Sequence, residues 1–221
     1  MTDGLAALYL SLQLAAVTTV ILLLIATPIA WWLSRTRSAW RAPVQAVVAL
    51  PIVLPPTVMG FYLLVLLGPA SDFGQWWLTL SGGTLTFSFS GLVIASCLYS
   101  LPFAVQPLQN AFEPLGDHEI EAARTLGASR IDAFFSVVMP MSRAGFLNAA
   151  VLSFAHTVGE FGVVLMVGGN IPGETRVVSI AIYDAVESLD YTTAHNLSAI
   201  LLIGSFLVLF ALFLANRRRA T

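Results

Sequence analysis

Two ionisable residues could do chemistry within an apolar run of the sequence. His156 and Glu160 are four residues apart, so in a helix both side chains lie on the same face. A carboxyl group at membrane depth is costly and points to a function such as proton transfer, with His156 as its candidate partner. The alternatives are a protonated Glu160 hydrogen-bonded within a helix bundle, and a gating or packing role beside the flexible Gly159 and Gly162.

The residue pattern gives little support for other kinds of chemistry. A zinc site needs three or four ligands, and no further Cys or His lies near His156 and Glu160, while His195 is far along the chain. Cys97, the one cysteine, lies in an apolar run and is expected to be a small core residue. The sequence has neither a Walker A glycine loop nor a catalytic set of Ser, His and Asp. Energy for any transport must therefore come from another chain or from an ion gradient.

One long charged stretch interrupts the apolar chain. Asp117 can cap a first short helix, which Gly127 ends. Ser129, with Asp132 three residues later, has the form of a capping box that opens a second helix, and Pro140 closes it. The stretch therefore predicts two helices joined by a glycine turn.

The composition indicates a membrane protein. The chain has 221 residues, of which 57% are hydrophobic and 10% charged, and a soluble domain of this size cannot bury so much apolar surface. The net charge of -2 argues against a polybasic surface binder and gives no reason to expect a nucleic-acid partner. We expect one domain, residues 1–221, embedded in the lipid bilayer, with residues 113–143 forming a loop within it.

Five apolar runs are each long enough to cross a bilayer as a helix, which takes about 20 residues. The first run is too long for the apolar region of a signal peptide, and we expect it to be a retained span. The runs extend from Ala6 to Leu33, from Val44 to Leu67, from Gly91 to Ala111, from Ala144 to Val167 and from Asn196 to Ala215.

The arginines indicate the orientation. All ten basic residues are arginine, and all but Arg176 follow the first, third or fifth run, which places them on one side of the membrane. By the positive-inside rule this side is the cytoplasm. We therefore predict an all-α membrane protein with five transmembrane helices, N-out and C-in. The arginines on this side are Arg35, Arg37, Arg41, Arg124, Arg130, Arg143, Arg217, Arg218 and Arg219.

The five tryptophans fall at or just beyond the ends of these runs. This placement is typical of anchors at the membrane interface, and it favours that role over ligand stacking. The residues are Trp31, Trp32, Trp40, Trp76 and Trp77.

The second run is expected to be broken at Leu54-Pro55-Pro56. A proline removes a backbone donor and pushes the preceding residue out of the helical region. In hydrocarbon the freed carbonyls are tolerated only against protein or a wet cavity, so this run is a candidate wall of a transport path, with the hydroxyl of Thr57 beside the break. The alternative is a helix kinked for packing alone.

An amphipathic segment, Arg176 to Leu189, lies between the fourth and fifth runs. Its pattern predicts a short helix on the membrane surface or under an external partner. Its apolar side would consist of Val178, Ile182, Ala185, Val186 and Leu189.

The charged stretch resembles the EAA loop of ABC importer permeases. That loop reads Glu-Ala-Ala, three residues, Gly, nine residues, Ile or Val, any residue, Leu-Pro, and every fixed position is met except that Met139 replaces Leu, a volume-conserving change. In the family this loop docks on a cytoplasmic ATPase subunit. A generic cytoplasmic helical hairpin is the alternative. The resemblance assigns the docking role to Glu121, Ala122, Ala123, Gly127, Arg130 and Pro140.

Two further stretches resemble the molybdate branch of these permeases. They are Leu54-Pro55-Pro56-Thr57-Val58-Met59-Gly60-Phe61-Tyr62 and the stretch from Val158 to Thr175. The core Gly159-Glu160-Phe161-Gly162 is shared with sulfate and thiosulfate permeases. The double proline followed by Thr57-Val58-Met59-Gly60-Phe61, and the later Gly173-Glu174-Thr175-Arg176, favour molybdate.

The resemblance implies an ABC type I importer (MetI-like) permease fold in the bacterial cytoplasmic (inner) membrane. The implied partners are a second copy of this permease, two cytoplasmic ATPase subunits, which would use ATP and Mg, and a periplasmic or extracellular oxyanion-binding protein. No cofactor is expected in this chain. No Lys or Arg lies in the middle of a run, so an anion would be handled by water, hydroxyl groups and helix ends. The candidate path or gate residues are Pro55, Pro56, Thr57, Thr157, Gly159, Glu160 and Gly162.

Three other functions are compatible with parts of the pattern. A sulfate or thiosulfate permease would share most of these motifs. A secondary transporter driven by protons through Glu160 would work without ATP. A purely structural membrane subunit would leave the proline break and the charged loop without a purpose.

Overall fold

The computed structural model describes residues 2–217, and every regular element within that range is helical. A π-helical segment, Phe134–Val138, joins the seventh helix to the eighth. In chain order the helices are α1 (Thr2–Arg35), α2 (Arg41–Val53), α3 (Pro56–Leu67), α4 (Asp72–Ser81), α5 (Phe89–Phe112), α6 (Asp117–Thr125), α7 (Arg130–Ala133), α8 (Met139–Met141), α9 (Arg143–Gly159), α10 (Gly162–Gly168), α11 (Val178–Glu187) and α12 (Tyr191–Arg217).

Three helices, α1, α5 and α12, are long and apolar enough to cross a membrane unaided. Two further crossings result if each bent pair counts as one span: α2 with α3, at 112°, and Arg130–Met141 with α9, at 75°. The first, third and fifth predicted runs are thus continuous helices, while the count of five spans and the orientation remain predictions. Arg218 and Arg219, which contribute to the orientation argument, lie outside the described residues.

The core of the bundle lies where α1, α5 and α9 meet. Alanines from all three helices, Ala26, Ala104 and Ala149, are fully buried in its largest cluster, and such small residues let helix backbones approach closely. Gly145 has the same effect between α9 and α5, because a Cβ at this position would overlap the Cβ of Ala111. In contrast, α12 packs against α11 and α9 and leaves most of its surface exposed.

The break between α2 and α3 follows the prolines, as predicted. Leu54 and Pro55 are extended, each with ψ of 137°. The Pro55 carbonyl accepts hydrogen bonds from the N–H groups of Val58 and Met59 at 3.0 and 3.2 Å. The short helix α3 then packs on α10. A Cβ on Gly60 of α3 would lie 2.7 Å from that of Met166 of α10, so only glycine permits this approach.

The fourth predicted run is also broken, which corrects the prediction of one continuous span. α9 ends at Gly159, Glu160 is extended with ψ of 137°, and α10 begins at Gly162. The run contains no proline, and the two glycines at the break weaken the helix by only about 1 kcal/mol each relative to alanine. Tertiary packing therefore determines that the helix is interrupted here. A Cβ on Gly162 would lie 2.6 Å from the Cβ of Pro56. The two breaks are therefore in contact.

The predicted amphipathic helix is confirmed as α11, although its buried face differs from the predicted one. Val178 and Ala185 are buried as expected, and Ile180 is buried as well. Val186 and Leu189 are exposed. Leu189 lies beyond the helix in a left-handed conformation with φ of 62°, so it no longer continues the helical face.

The contact at Gly145 yields a test of the core. Gly145→Val should lower the free energy of unfolding by about 1–3 kcal/mol, as overpacking does, because the added side chain has to push α9 away from α5. Gly204→Val in α12 is the matched control, since a Cβ there meets nothing within 4 Å. Thermal unfolding of both variants in the same detergent measures the difference. Equal midpoints would contradict the proposed packing.

Candidate functional sites

The loop 113–143 contains the predicted helix, glycine turn and helix. The Ala128 N–H bonds to the carbonyl of Ala123 at 3.1 Å, and the Gly127 N–H bonds to that of Arg124 at 3.0 Å, which closes the end of α6. Gly127 has φ of +91°, a conformation that favours glycine. The helix begins at Asp117 itself with Gly116 at the cap position, so the predicted cap is one residue too late.

The second half of this loop begins with the predicted helix cap and then changes from an α-helix to a wider π-helix. The Ser129 hydroxyl accepts a hydrogen bond from the Asp132 N–H at 3.1 Å, which confirms the cap. Pro140 has no N–H for the carbonyl of Ser136, and a π-helical segment lies just before it. The chain bends after Pro140, at Ser142, where α9 begins.

The loop presents apolar side chains at its tip. Leu126 is 90% exposed and Ile131 is 73% exposed, and the charged side chains of Glu121, Arg124 and Arg130 stand exposed around them. An open cleft of about 530 Å³ lies between the two helices of the loop and is lined by small residues such as Ala122 and Gly127. Exposed apolar groups rimmed by polar residues mark surfaces that bind other proteins.

An aromatic cluster connects this loop to the membrane bundle. Phe134 of the loop makes edge-to-face contacts with Trp31 of α1 at 5.6 Å and with Phe112 of α5 at 6.3 Å, measured between ring centroids. Phe112 also contacts Phe146 of α9 at 5.9 Å. Each such pair contributes about 0.5–1.5 kcal/mol beyond its buried area. Phe134 is therefore held directly by α1 and α5, and α9 supports it through Phe112.

Trp31 has contacts within the protein in addition to its position at the end of an apolar run, and its role as an interfacial anchor stays a prediction. It is half-buried in the aromatic cluster, with the Arg35 guanidinium 4.6 Å from its ring centroid. Arg35 also donates to the carbonyl of Gly116 at 3.4 Å. Trp40 and Trp76 are largely exposed, as the anchor interpretation expects.

The polar groups of α9 are arranged differently from the predicted pair. His156 Nδ1 hydrogen-bonds to the Ser100 hydroxyl of α5 at 2.9 Å, and its ring stacks on Phe103 at 3.9 Å. Ser100 also bonds to Thr157 at 3.1 Å. His156 is therefore not the partner of Glu160. The spacing of Ser96 and Ser100, one turn apart on α5, was the available sequence signal for these partners, and it was missed.

Glu160 occupies the break between α9 and α10. Its side chain is buried, and the residue is only 5% exposed. Neither carboxyl oxygen has a hydrogen-bond partner, although the Ser96 hydroxyl lies beside them without reaching hydrogen-bond geometry. The backbone carbonyl of Glu160 accepts a hydrogen bond from the Ser179 hydroxyl of α11. One backbone hydrogen bond therefore connects the break to α11, while the carboxyl of Glu160 is left unpaired.

The candidate path residues fall into three groups. Pro56 and Gly162 touch across the two breaks, next to Glu160. Thr157 belongs to the hydrogen-bonded group of Ser100. Gly159 has open space where a side chain would be, and the exposed residues Pro55 and Thr57 lie at the start of α3.

Residues 168–190 cover the end of the bundle opposite the loop 113–143, and side-chain hydrogen bonds hold this cover together. Arg176 donates to the side-chain oxygen of Asn170, whose amide donates to Asp184 at 3.1 Å. This local pairing accounts for the one arginine outside the arginine-rich side. On α11, the Tyr183 hydroxyl donates to Glu187 at 2.6 Å, and that hydrogen bond raises the pKa of Tyr183.

Among the described residues, no three His, Cys, Asp or Glu side chains come together as a metal site. Nor do the side chains of the described residues form a catalytic set of Ser, His and Asp. The described residues offer instead an exposed loop attached to an aromatic cluster, and two helix breaks in contact.

The fold is that of an ABC importer permease. The chain is similar to a chain of the MetNI methionine ABC transporter in inward-facing conformations, with a TM-score of 0.71, 19% identity and coverage of 96% of this chain and 94% of that one. It is also similar to a chain of a bacterial alginate ABC transporter, with a TM-score of 0.75, 14% identity and coverage of 97% and 78%.

Residues 15–219 match the family described as "Binding-protein-dependent transport system inner membrane component", and the chain belongs to that family. It is 59% identical to the molybdenum transport system permease protein ModB of Azotobacter vinelandii, over 98% of this chain and 96% of the relative. It is 36% identical to ModB of Escherichia coli (strain K12), over 82% and 80%. The sulfate transport system permease protein CysT of the same strain is 35% identical, over 83% and 66%.

From the contacts of the aromatic cluster we expect that truncating Phe134 detaches the loop from the bundle and makes it more accessible to protease. Phe134→Ala should lower the free energy of unfolding by about 2 kcal/mol, somewhat less than the 3–5 kcal/mol typical of fully buried phenylalanines, because this ring is half-buried. It should also speed trypsin cleavage at Arg124 and Arg130. Phe135→Ala is the control, since the neighbouring ring is exposed. Equal cleavage rates in the two variants would show that the cluster does not hold the loop.

Proposed function

We propose that this chain is the permease subunit of an ATP-driven importer of molybdate, with tungstate as a second substrate of the same chemistry. The observation that carries this proposal is the 59% identity, across nearly the whole of both chains, with a molybdenum transport permease. The sulfate permease CysT of Escherichia coli is a more distant relative, at 35% identity over two thirds of its own length. The match therefore favours molybdate over sulfate.

The proposed topology has five spans with the N-terminus outside. Its spans are α1, α2 with α3, α5, α9 with α10, and α12, and Arg130–Met141 belongs to the loop. The end of the bundle that carries Arg35, Arg41 and the loop 113–143 then faces the cytoplasm, in accord with the positive-inside rule. The loop is placed where a cytosolic protein can reach its exposed tip.

In this proposal the loop docks on an ATPase subunit. The exposed Leu126 and Ile131 supply apolar contact area, and the surrounding Glu121, Arg124 and Arg130 supply charged contacts. Ala122, Ala123 and Gly127 keep the cleft between the helices open, and Pro140 shapes the widened end of the second helix. ATP and Mg are used by that partner, and this chain contributes no phosphate-binding loop.

The proposed assembly contains two copies of this chain. A doubly charged oxyanion cannot cross hydrocarbon without an aqueous path, because the loss of its hydration costs tens of kcal/mol. The bundle of α1, α5 and α9 is packed through small residues, whereas α3 and α12 leave apolar faces exposed. A two-fold dimer that encloses a path between its subunits uses those faces and needs no channel within one chain.

Movement in this scheme passes from the loop to the breaks through packed elements. ATP binding closes the ATPase pair and brings the two loops together, and the aromatic cluster carries that displacement to α1, α5 and α9. The extended residues at Pro55 and Glu160 are the places where the spans can bend. Selectivity for the anion resides in an external oxyanion-binding protein, since the runs hold no Lys or Arg in their middle.

Uptake measurements test the substrate. In cells that produce this chain with its ATPase and binding-protein partners, labelled molybdate should enter only when ATP is available. Excess unlabelled tungstate should compete, and the same excess of sulfate should not. Equal competition by sulfate would favour a sulfate permease, and uptake that persists without ATP would favour a proton-driven transporter.

The glycine turn provides a test of the docking assignment. Gly127→Val forces a β-branched residue into the left-handed region, which costs of the order of 1–3 kcal/mol and reshapes the turn without a steric clash, because a Cβ there meets nothing within 4 Å. We expect membrane insertion to be unchanged, co-purification of the ATPase to fall and uptake per ATP hydrolysed to drop about tenfold, which is the effect of about 1.4 kcal/mol of lost coupling.

Gly173→Val is the matched control for this substitution. Gly173 also has positive φ, at +79°, and open space around it, but it lies in the cover at the other end of the bundle. Its ATPase co-purification should equal that of the unaltered chain. The docking assignment fails if Gly127→Val binds ATPase and drives uptake normally.

A further inference from the structure

Glu160 is a buried acid with no charged partner. Its two carboxyl oxygens are inaccessible and make no hydrogen bond. The titratable groups nearest to it on α5 and α9 are Cys97, Tyr99 and His156, and Arg143 lies at the other end of α9. On α11, Tyr183 bonds to Glu187, and Asp184 pairs with Arg176. On α12, Tyr191 and His195 are exposed. None of these is a cation facing the carboxyl, because His156 bonds to Ser100 and stacks on Phe103.

The remaining packed elements contribute no compensating charge. In α1 the stretch from Leu10 to Trp32 contains no titratable residue, and α10 contains none at all. In α3 the one titratable residue is Tyr62, whose side chain is largely exposed. An ionised carboxylate in such surroundings loses its hydration and gains nothing in return, whereas a neutral carboxyl group loses far less.

We infer that Glu160 is a proton-binding site, and that its carboxyl carries a bound proton whenever the break between α9 and α10 is closed as it is here. Proton binding forms one O–H bond on the carboxylate and removes its charge. When the break opens to water, the proton passes to water and the carboxylate is left hydrated. The proton is thus a ligand of the closed conformation.

The geometry of the break supports reversible access. Glu160 is extended between two helix ends, and Gly159 has open space beside its Cα. The Ser96 hydroxyl is also buried and without a hydrogen-bond partner, and it is a neighbouring group that can accept a hydrogen bond from the protonated carboxyl. A modest change at the break therefore decides whether the carboxyl meets protein or water.

The direction of the pH effect follows from this linkage. The closed conformation binds the proton more tightly than the open one, so higher pH shifts the equilibrium toward the open conformation. Under the proposed function, on which this step rests, an ionised Glu160 would also repel the oxyanion as it passes. Uptake should therefore fall at alkaline pH.

Infrared spectroscopy of the assembled transporter in lipid nanodiscs, without substrate, tests the bound proton directly. At neutral pH, where exposed carboxyl groups are ionised, we expect a C=O band of a protonated acid. The band should be lost in Glu160→Gln and retained in Glu113→Gln, a control whose exposed carboxylate pairs with Arg41 at 2.8 Å. Absence of the band from the unaltered protein overturns the proposal, and that measurement does not require the variant to fold.

Uptake across a pH series provides the second measurement. The alkaline fall in uptake should disappear in Glu160→Gln and persist in Glu113→Gln. Identical profiles for the unaltered protein and Glu160→Gln would overturn the link between the proton and the break. The infrared result does not depend on transport, so failure of the proposed function and failure of the proton site give different outcomes.

Discussion

The need to satisfy backbone polar groups in a medium without water constrains this molecule more than any other requirement. A helix meets that need unaided, yet the chain interrupts two of its apolar runs, at Leu54-Pro55 and at Glu160-Phe161. The break at Glu160 is packed inside the protein, whereas Pro55, Pro56 and Thr57 at the first break are exposed in the single chain. Within a membrane such a break is tolerated only against protein or a wet cavity. Pro56 meets Gly162, and Gly60 meets Met166, so each break covers the other. Any rearrangement at one break must therefore be accommodated at the other.

The two breaks differ in how far sequence could foresee them. Two adjacent prolines remove backbone donors, and this effect is local, so the first break was predictable. The second contains only Gly159 and Gly162 around an acid, and glycine in an apolar run is compatible with a continuous helix. The deciding contact is with Pro56, which is distant in sequence. For the same reason His156 could not be assigned its true partner, Ser100, from spacing along its own helix.

Local signals were reliable where backbone chemistry alone determines the structure. The turn at Gly127 and the cap at Ser129 follow from conformational preference and from one side-chain hydrogen bond. The amphipathic helix α11 was also recognisable, but its exposed and buried sides depend on where the helix ends, and Leu189 leaves the helical path. For Trp31, a positional rule gives only its place at the end of a span, and packing with Phe112 and Phe134 determines its surroundings.

The composition of the aromatic cluster has a consequence for biogenesis. Its rings come from α1, α5, the loop and α9, so the cluster cannot be complete until the ribosome has passed residue 146 and the corresponding helix has entered the bilayer. During synthesis, the loop emerges before the last ring that supports it. A chain truncated shortly after the loop displays the same residues without the ring of Phe146 behind Phe112. A protein that recognises the shape of this loop, and not only its sequence, can thus distinguish a finished subunit from a nascent one.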